Sequence, residues 1–189
     1  QGLSAVAHFF SEEVKTSLPI TRAVTGLAVN LAAHADLRAE MRDLNIHFGL
    51  MSALNRCYTG IQELAEQRAS LVSMQSEMSY VEGVRMVDMC ELVLSGLQVM
   101  AKDPHAREDI IHNTDVLAIA VRLLHNESEY VARAATGLLC ELAYDKNGAK
   151  AIEQEGATSR LTELLHHRNE TIATYAAAVL YRMGEDKGP

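Results

Sequence analysis

What this chain lacks narrows its chemistry before any motif is read. Its three cysteines, at positions 57, 90 and 140, are odd in number, widely spaced and unpaired with nearby histidines. That arithmetic argues against a disulfide framework or a zinc site and leaves buried thiols of a reducing compartment. Basic charge is short as well: 17 Lys and Arg face 25 Asp and Glu, for a formal net charge of −8 and a pI near 5.5. DNA, RNA and acidic membranes are held by a basic stripe, so direct nucleic-acid binding is not expected. No apolar run approaches the roughly 18 residues of a membrane span, and no basic segment followed by an apolar core opens the chain. Membrane insertion is therefore not expected, and the chain reads as cytosolic or nuclear. It begins without Met, in what reads as the last part of a repeat, and is expected to be a fragment.

Catalytic groupings are missing too. Of eight histidines, His166 and His167 are adjacent and face different ways on a helix, while His105 and His112, seven apart, lack a third ligand. No nucleophile, base and orienter come together in the pattern, and no Gly-rich phosphate loop appears. The expectation is a nonenzymatic protein with no catalytic, metal or cofactor residues, whose histidines sit on helix surfaces.

What is present is a repeat. At 48% apolar, the 189 residues can bury a substantial core. Gly26, Ser95, Gly137 and Ala178 form one recurring column, and Leu31, Met100, Leu142 and Met183 a second, stepping by 69, 42 and 41 residues. Met41, Ile110 and Ile152 form a third; Leu50, Ile119 and Leu161 a fourth; Leu54, Leu123 and Leu165 a fifth. A period near forty with no strand pattern points to a helical solenoid of the armadillo or HEAT type. Most of the eight methionines fall at core-period positions and are expected to fill gaps there.

The third copy serves as the template: a first helix from Asp145 to Glu155, a second from Ala157 to His166 and a third from Glu170 to Gly184. Gly156 can take the left-handed conformation that ends the first, and Asn169 can cap the third. In the second copy Asp103-Pro104 starts a first helix, Asn113 precedes a helix from Asp115 to His125, and Asn126 opens one ending near Ala143. Asp36 to Arg42 and Ile46 to Arg56 fill the first two places of the first copy, and its third helix starts near Val84. Between them, residues 57–82 break the period as an insertion. Ile61, Leu64, Leu71, Met74 and Met78 fall at helical spacing against Ser70, Ser73, Ser76 and Ser79. Either this is an amphipathic helix laid on the solenoid or a loop that orders on binding.

Along the third helices, residues four apart share a face: Arg22, Gly26 and Asn30; Arg133, Gly137 and Glu141; Thr174, Ala178 and Arg182. Stacked, the small middle residues flanked by polar ones describe an open groove where another backbone could approach. The alternative is that small residues only let helices pack. Four in register favour a binding surface.

Several stretches resemble a known family closely: Val81-Glu-Gly-Val-Arg-Met86, Leu139-Cys-Glu-Leu-Ala143, Glu155-Gly-Ala-Thr158, Leu161-Thr-Glu-Leu-Leu-His166 and Ala173-Thr-Tyr-Ala-Ala-Ala-Val-Leu180. From about Leu18 to Lys187 the chain resembles the end of the β-catenin armadillo domain. The resemblance implies an all-α, armadillo-repeat, right-handed superhelical solenoid of about three repeats plus a partial first helix. Residues 1–187 would be the C-terminal part of that domain, with 188–189 a tail. It also implies an adaptor that holds cadherin cytoplasmic tails at adherens junctions and co-activates transcription with T-cell-factor-type proteins downstream of Wnt signalling. Helical inhibitor and coactivator domains would be further partners, and α-catenin would bind through other regions. Localisation would be cytoplasmic, junctional and nuclear. Matched residue by residue, Arg133 is a groove arginine, Tyr175 stands where the family has a phosphorylatable tyrosine, and Tyr181-Arg182 replaces a Phe-Arg pair that contacts helical ligands. With Arg22, Asn30 and Glu141 these form the expected protein-binding groove. Because the segment is acidic, its contacts should lean on apolar packing and a few arginines.

A different peptide-binding adaptor is the alternative, nuclear transport receptors above all. Their groove depends on a ladder of Trp and Asn. This chain has no Trp, and only Asn30 stands at the ladder position, with Val99, Glu141 and Arg182 in the other copies.

Overall fold

The computed structural model describes residues 2–11, 17–70 and 80–185, leaving aside the side chains of 67–70. Two compact units divide the chain, residues 1–96 and 97–189. The first holds α1 (Gly2–Phe10), α2 (Leu18–Ala32), α3 (Ala35–Asp43), α4 (Ile46–Ser70), β1 (Tyr80–Val81), β2 (Val84–Arg85) and most of α5 (Met86–Met100). The second begins with the last turn of α5 and continues through α6 (Pro104–His112), α7 (Thr114–Leu123), α8 (Glu129–Leu142), α9 (Lys146–Gln154), α10 (Thr158–Leu164) and α11 (Glu170–Glu185). In α6–α8 and α9–α11 two short helices are followed by a longer one, whereas in α3–α5 the middle helix is the longest.

Local chemistry starts and stops the helices of the second unit where the sequence indicates. The Asp103 carboxylate accepts from the His105 and Ala106 amides, both at 3.0 Å, with Pro104 opening α6. The Asn113 side chain accepts from Val116 N, that of Asp145 from Asn147 N, and that of Asn169 from Thr171 N and Ile172 N. Each satisfies donors that a helix start leaves without partners. Gly156, at φ +80°, ends α9. Asn126 behaves differently from the expectation: its side chain accepts from Ser128 N, and Ser128 rather than Asn126 stands at the start of α8.

Apolar columns become cores. Met41, Ile110 and Ile152 are fully buried, as are Leu50 and Leu161, with Ile119 nearly so. Two columns break. Leu165 is 37% exposed because Leu164 takes the inward place, and Leu31 is only half-buried while Met100, Leu142 and Met183 face the core. The six methionines among the described residues, 41, 51, 86, 89, 100 and 183, are all buried. Polar clamps tie successive repeats of the second unit: Arg160 Nε donates to Leu124 O at 3.1 Å, and Glu129 accepts from Arg168 Nε and Asn169 Nδ2.

In the first unit α4 does not stop at Arg56. It runs on through Ser70, so the first part of the inserted stretch is helix, with Ile61 and Leu64 on it; Leu71, Met74, Met78, Ser73, Ser76 and Ser79 lie outside the described residues. The expected absence of strands is corrected at its end, where β1 and β2 pair antiparallel with Tyr80 opposite Arg85 and Val81 opposite Val84. Glu82 and Gly83 make the turn with φ +49° and +75°, the two positive values a tight two-residue hairpin needs. Glu82 is an unusual residue for that conformation, and its carboxylate accepts from Leu18 N at 2.7 Å, so the hairpin caps the start of α2.

Candidate peptide-binding groove

The groove residues belong to the third helices, so each is placed by helix phase. On α8, Tyr130, Arg133, Gly137 and Glu141 follow one another at steps of three or four and form one stripe, which Tyr144 continues in the turn after the helix. Arg133 is exposed and its guanidinium lies 5.9 Å from the centre of the Tyr130 ring, within cation–π range. Glu141 is half-buried. On α11, Tyr181 is 69% exposed. Arg182 turns back onto α8: its guanidinium donates to Cys140 O at 2.8 Å and lies 3.3 Å from the centre of the Tyr144 ring. That side chain is already bonded inside the solenoid and presents a stacked Tyr–Arg pair rather than an extended arginine.

Gly137 is not an open floor. A Cβ built there would meet the Gln98 amide at 2.6–2.8 Å, because Gln98 from the last turn of α5 lies across it. Gln98 Nε2 donates to the Tyr175 hydroxyl at 3.4 Å. The small residue in this rung therefore makes room for a neighbouring side chain of the same unit, the packing alternative rather than the open one. Ala178 is half-buried.

In the first unit, Arg22 and Asn30 are both exposed on α2 with Gly26 half-buried between them. Arg22 faces the hairpin across a cavity of about 370 Å³ lined also by Pro19, Tyr80, Gly83, Val84, Arg85 and Asp88. Arg85 pairs weakly with Asp88 at 3.4 Å, both half-exposed. The structure thus places Arg133 and Glu141 on α8, Tyr175, Tyr181 and Arg182 on α11, and Arg22 and Asn30 on α2.

Sequence reasoning missed Tyr130, Tyr144 and Gln98. Tyr130 and Tyr144 each stand seven residues from Gly137, and Gln98 three from Ser95, so extending the four-residue stripes by one turn would have found them.

Titratable groups here are structural. Burial pushes the Cys140 thiol up against the opposing pull of Arg182. A hydrogen bond with Cys57, and then burial, push the Cys90 thiol far up. All three cysteines are free and buried. His105, His112 and His166 are exposed, whereas His47 is buried in α4, an exception to the surface expectation. Among the described residues no three His, Cys, Asp or Glu converge as metal ligands, and no helix is long and apolar enough to cross a membrane.

Two short helices followed by a longer third, repeated as α6–α8 and α9–α11, are the armadillo-repeat fold. Solved structures agree on the fold: a designed armadillo repeat protein superposes on 96% of this chain with a TM-score of 0.70 at 17% identity, over 64% of its own length. A β-catenin structure, described as showing how a conserved phosphorylation switch controls the interaction between cadherin and β-catenin, reaches 0.70 over 88% of this chain and 33% of its own at 23% identity. No protein-family model matches. Over about nine-tenths of its length the chain is similar to catenin beta and junction plakoglobin. Catenin beta of Tripneustes gratilla is 43% identical over 170 residues, 89% of this chain and 20% of the relative; junction plakoglobin of Sus scrofa is 39% identical over 90% and 22%. The chain spans about a fifth of the length of these curated relatives.

Proposed function

We propose that this armadillo scaffold is a noncatalytic docking segment of a β-catenin-type adaptor, forming the closing part of its armadillo domain and holding a cadherin cytoplasmic tail along α8 and α11. The carrying observation is the pair of Arg–Tyr stacks, Arg133 on Tyr130 and Arg182 on Tyr144, beside the exposed Tyr181. Tyrosine and arginine are the side chains that most often dominate interface energies. The similarity to catenin beta and plakoglobin supports the same reading. Arg133 would pair with carboxylates of the tail by charge-assisted bonds and Tyr181 would pack, while Arg22 and Asn30 on α2 are contact candidates of the first unit by itself. The adaptor would work at the cytoplasmic face of adherens junctions and, with T-cell-factor-type proteins and helical coactivators, in the nucleus. Phosphate on Tyr175 would place roughly two negative charges beside an acidic ligand and weaken its hold.

Titration of the chain with a cadherin tail and, separately, a T-cell-factor peptide tests this. Combined Arg133→Ala and Tyr181→Ala should weaken tail binding about tenfold or more with the melting temperature unchanged. Unchanged affinity in the folded variant would remove these residues from the site. Binding of the tail alone favours adhesion; binding of neither moves the search to coactivators.

A further inference from the structure

We propose that Cys57 and Cys90 are a disulfide-forming pair, which a peroxide joins into an S–S bond that ties α4 to α5 across the core of the first unit. The inference needs no peptide ligand and stands apart from the reading above. It gives the first unit a site of covalent modification.

Two contacts fix how the helices meet. Leu50 and Gly60 lie ten residues apart on α4, and Met86 and Gly96 ten apart on α5. Met86 Sδ lies 2.9 Å from where a Cβ of Gly60 would be, and Leu50 Cδ1 lies 3.3 Å from where one of Gly96 would be. The helices therefore run antiparallel along this face, in register between the two contacts. Cys57 stands three residues before Gly60 and Cys90 four after Met86, each one helical turn along from the same contact. The register thus sets one cysteine opposite the other. Their exposures of 1% and 0% agree, since each points into the shared core. A hydrogen bond joins the two thiols. Thiols in such contact need a further approach, not a rearrangement, to reach the about 2.0 Å of an S–S bond. Because a glycine stands at each contact, one side chain rather than two fills the space between the helices there. Cys140 is placed differently: it belongs to the second unit, on α8, with Arg182 Nη1 3.7 Å from its sulfur.

Oxidation of the pair proceeds in two displacements. One sulfur, as thiolate, attacks an oxygen of hydrogen peroxide; the O–O bond breaks, water leaves and a sulfenic acid forms. The second sulfur then displaces the hydroxyl as water. The two thiols give up two electrons and two protons, and the peroxide becomes two waters. Because both sulfurs are buried, peroxide reaches them when the crossing opens, and the bond then links residues 33 apart and closes a loop that carries the β1–β2 hairpin. A closed loop narrows the unfolded ensemble, so oxidation stabilises the first unit.

Treatment of the whole chain with dilute hydrogen peroxide, followed by blocking of free thiols, digestion and mass spectrometry, tests the pairing. The folded chain should yield a Cys57–Cys90 cross-linked peptide with Cys140 recovered as a blocked thiol, whereas in concentrated urea pairings with Cys140 should appear as well. Cross-links to Cys140 in the folded chain, or oxygenated sulfur at Cys57 and Cys90 with no cross-link, would overturn the proposal. Melting curves supply the second readout. The oxidised chain should melt roughly 5–10 °C above the reduced one, and dithiothreitol should reverse the shift. Cys140→Ala should keep that shift, while Cys57→Ala and Cys90→Ala should each lose it. An oxidised chain that melts no higher than the reduced one, or a shift that survives in Cys57→Ala, would count against the brace. If either of those variants fails to fold, the cross-link map of the wild-type chain still decides.

Discussion

Arg22–Gly26–Asn30 on α2 and Arg133–Gly137–Glu141 on α8 are written almost identically, yet the two glycines do different work. A Cβ at Gly26 would find only Leu92 Cδ2, at an ordinary 3.9 Å, whereas one at Gly137 would strike the Gln98 amide. What decides the matter is the side chain that the neighbouring helix delivers: an apolar group that stays back, or a long polar one that folds over the gap. A stripe of small residues therefore states where space exists and leaves open who fills it. The ends of the two helix sets differ in the same way. Four of the six helices that start in the second unit carry side-chain caps, at Asp103, Asn113, Asp145 and Asn169, while Ser128 and Ala157 there, and Ser17 and His34 in the first unit, make no such bond.

Substitutions can sharpen or break this contrast. The largest effect should come from Gly148→Ala on α9, where a Cβ would run into the backbone carbonyl of Leu142, which cannot swing aside as the Gln98 side chain can. A loss of about 2–3 kcal/mol in urea unfolding is expected. A loss below half of that would mean that α9 shifts freely. Next, Asn169→Ala removes the one oxygen that accepts two capping hydrogen bonds and the amide that donates to Glu129, and should cost about 1–2 kcal/mol, while Ser17→Ala, whose side chain caps nothing, should leave α2 unaffected. Equal costs at the two sites would erase the difference between the units. Gly26→Ala should stabilise the chain by about 0.5–1 kcal/mol through helix propensity, since its Cβ meets only an ordinary contact. A destabilised Gly26→Ala would show that α2 is as crowded as α8.

The smallest effect concerns pH. The Asn169 and Arg168 hydrogen bonds hold the Glu129 carboxyl below its ordinary range. A depressed folded value means that the contribution is present above the unfolded pKa, near 4.3, and is lost as pH falls through the lower folded value. Because this carboxylate is on the surface, Glu129→Gln should flatten the acid limb of a stability curve only slightly. An acid limb left unaltered in Glu129→Gln would assign that slope to other carboxylates.

Much of this molecule was legible in its sequence, and what was not has physical causes. Helix places, caps at Asp103, Asn113 and Asn169 and the left-handed Gly156 follow from local chemistry, which a single chain carries in full. The hairpin escaped because a two-residue strand has no periodicity to detect. The run-on of α4 escaped because serines at its end speak for a turn, while packing of Ile61 and Leu64 is nonlocal information. Leu164 taking the place of Leu165 is a one-residue slip that a forty-residue period is too coarse to resolve. Helix phase alone puts Arg133 and Glu141 on one face of α8 and Arg182 on α11. The partners that occupy them, Tyr144 for Arg182 and Gln98 for Gly137, come from residues 38 and 39 positions away in the chain and were not visible from either helix alone.

The Glu82 carboxylate on the Leu18 amide spans 64 residues of sequence. Most helix starts are closed by a neighbour two or three residues off and so form on the timescale of the helix itself. The start of α2 instead takes its acceptor from a hairpin 64 residues on, which places a long loop closure inside what looks like a local event. The amide of Leu18 should accordingly gain protection from hydrogen exchange together with Tyr80 to Arg85 and after the middle of its own helix. That order of events makes the hairpin a timer for the completion of the first unit.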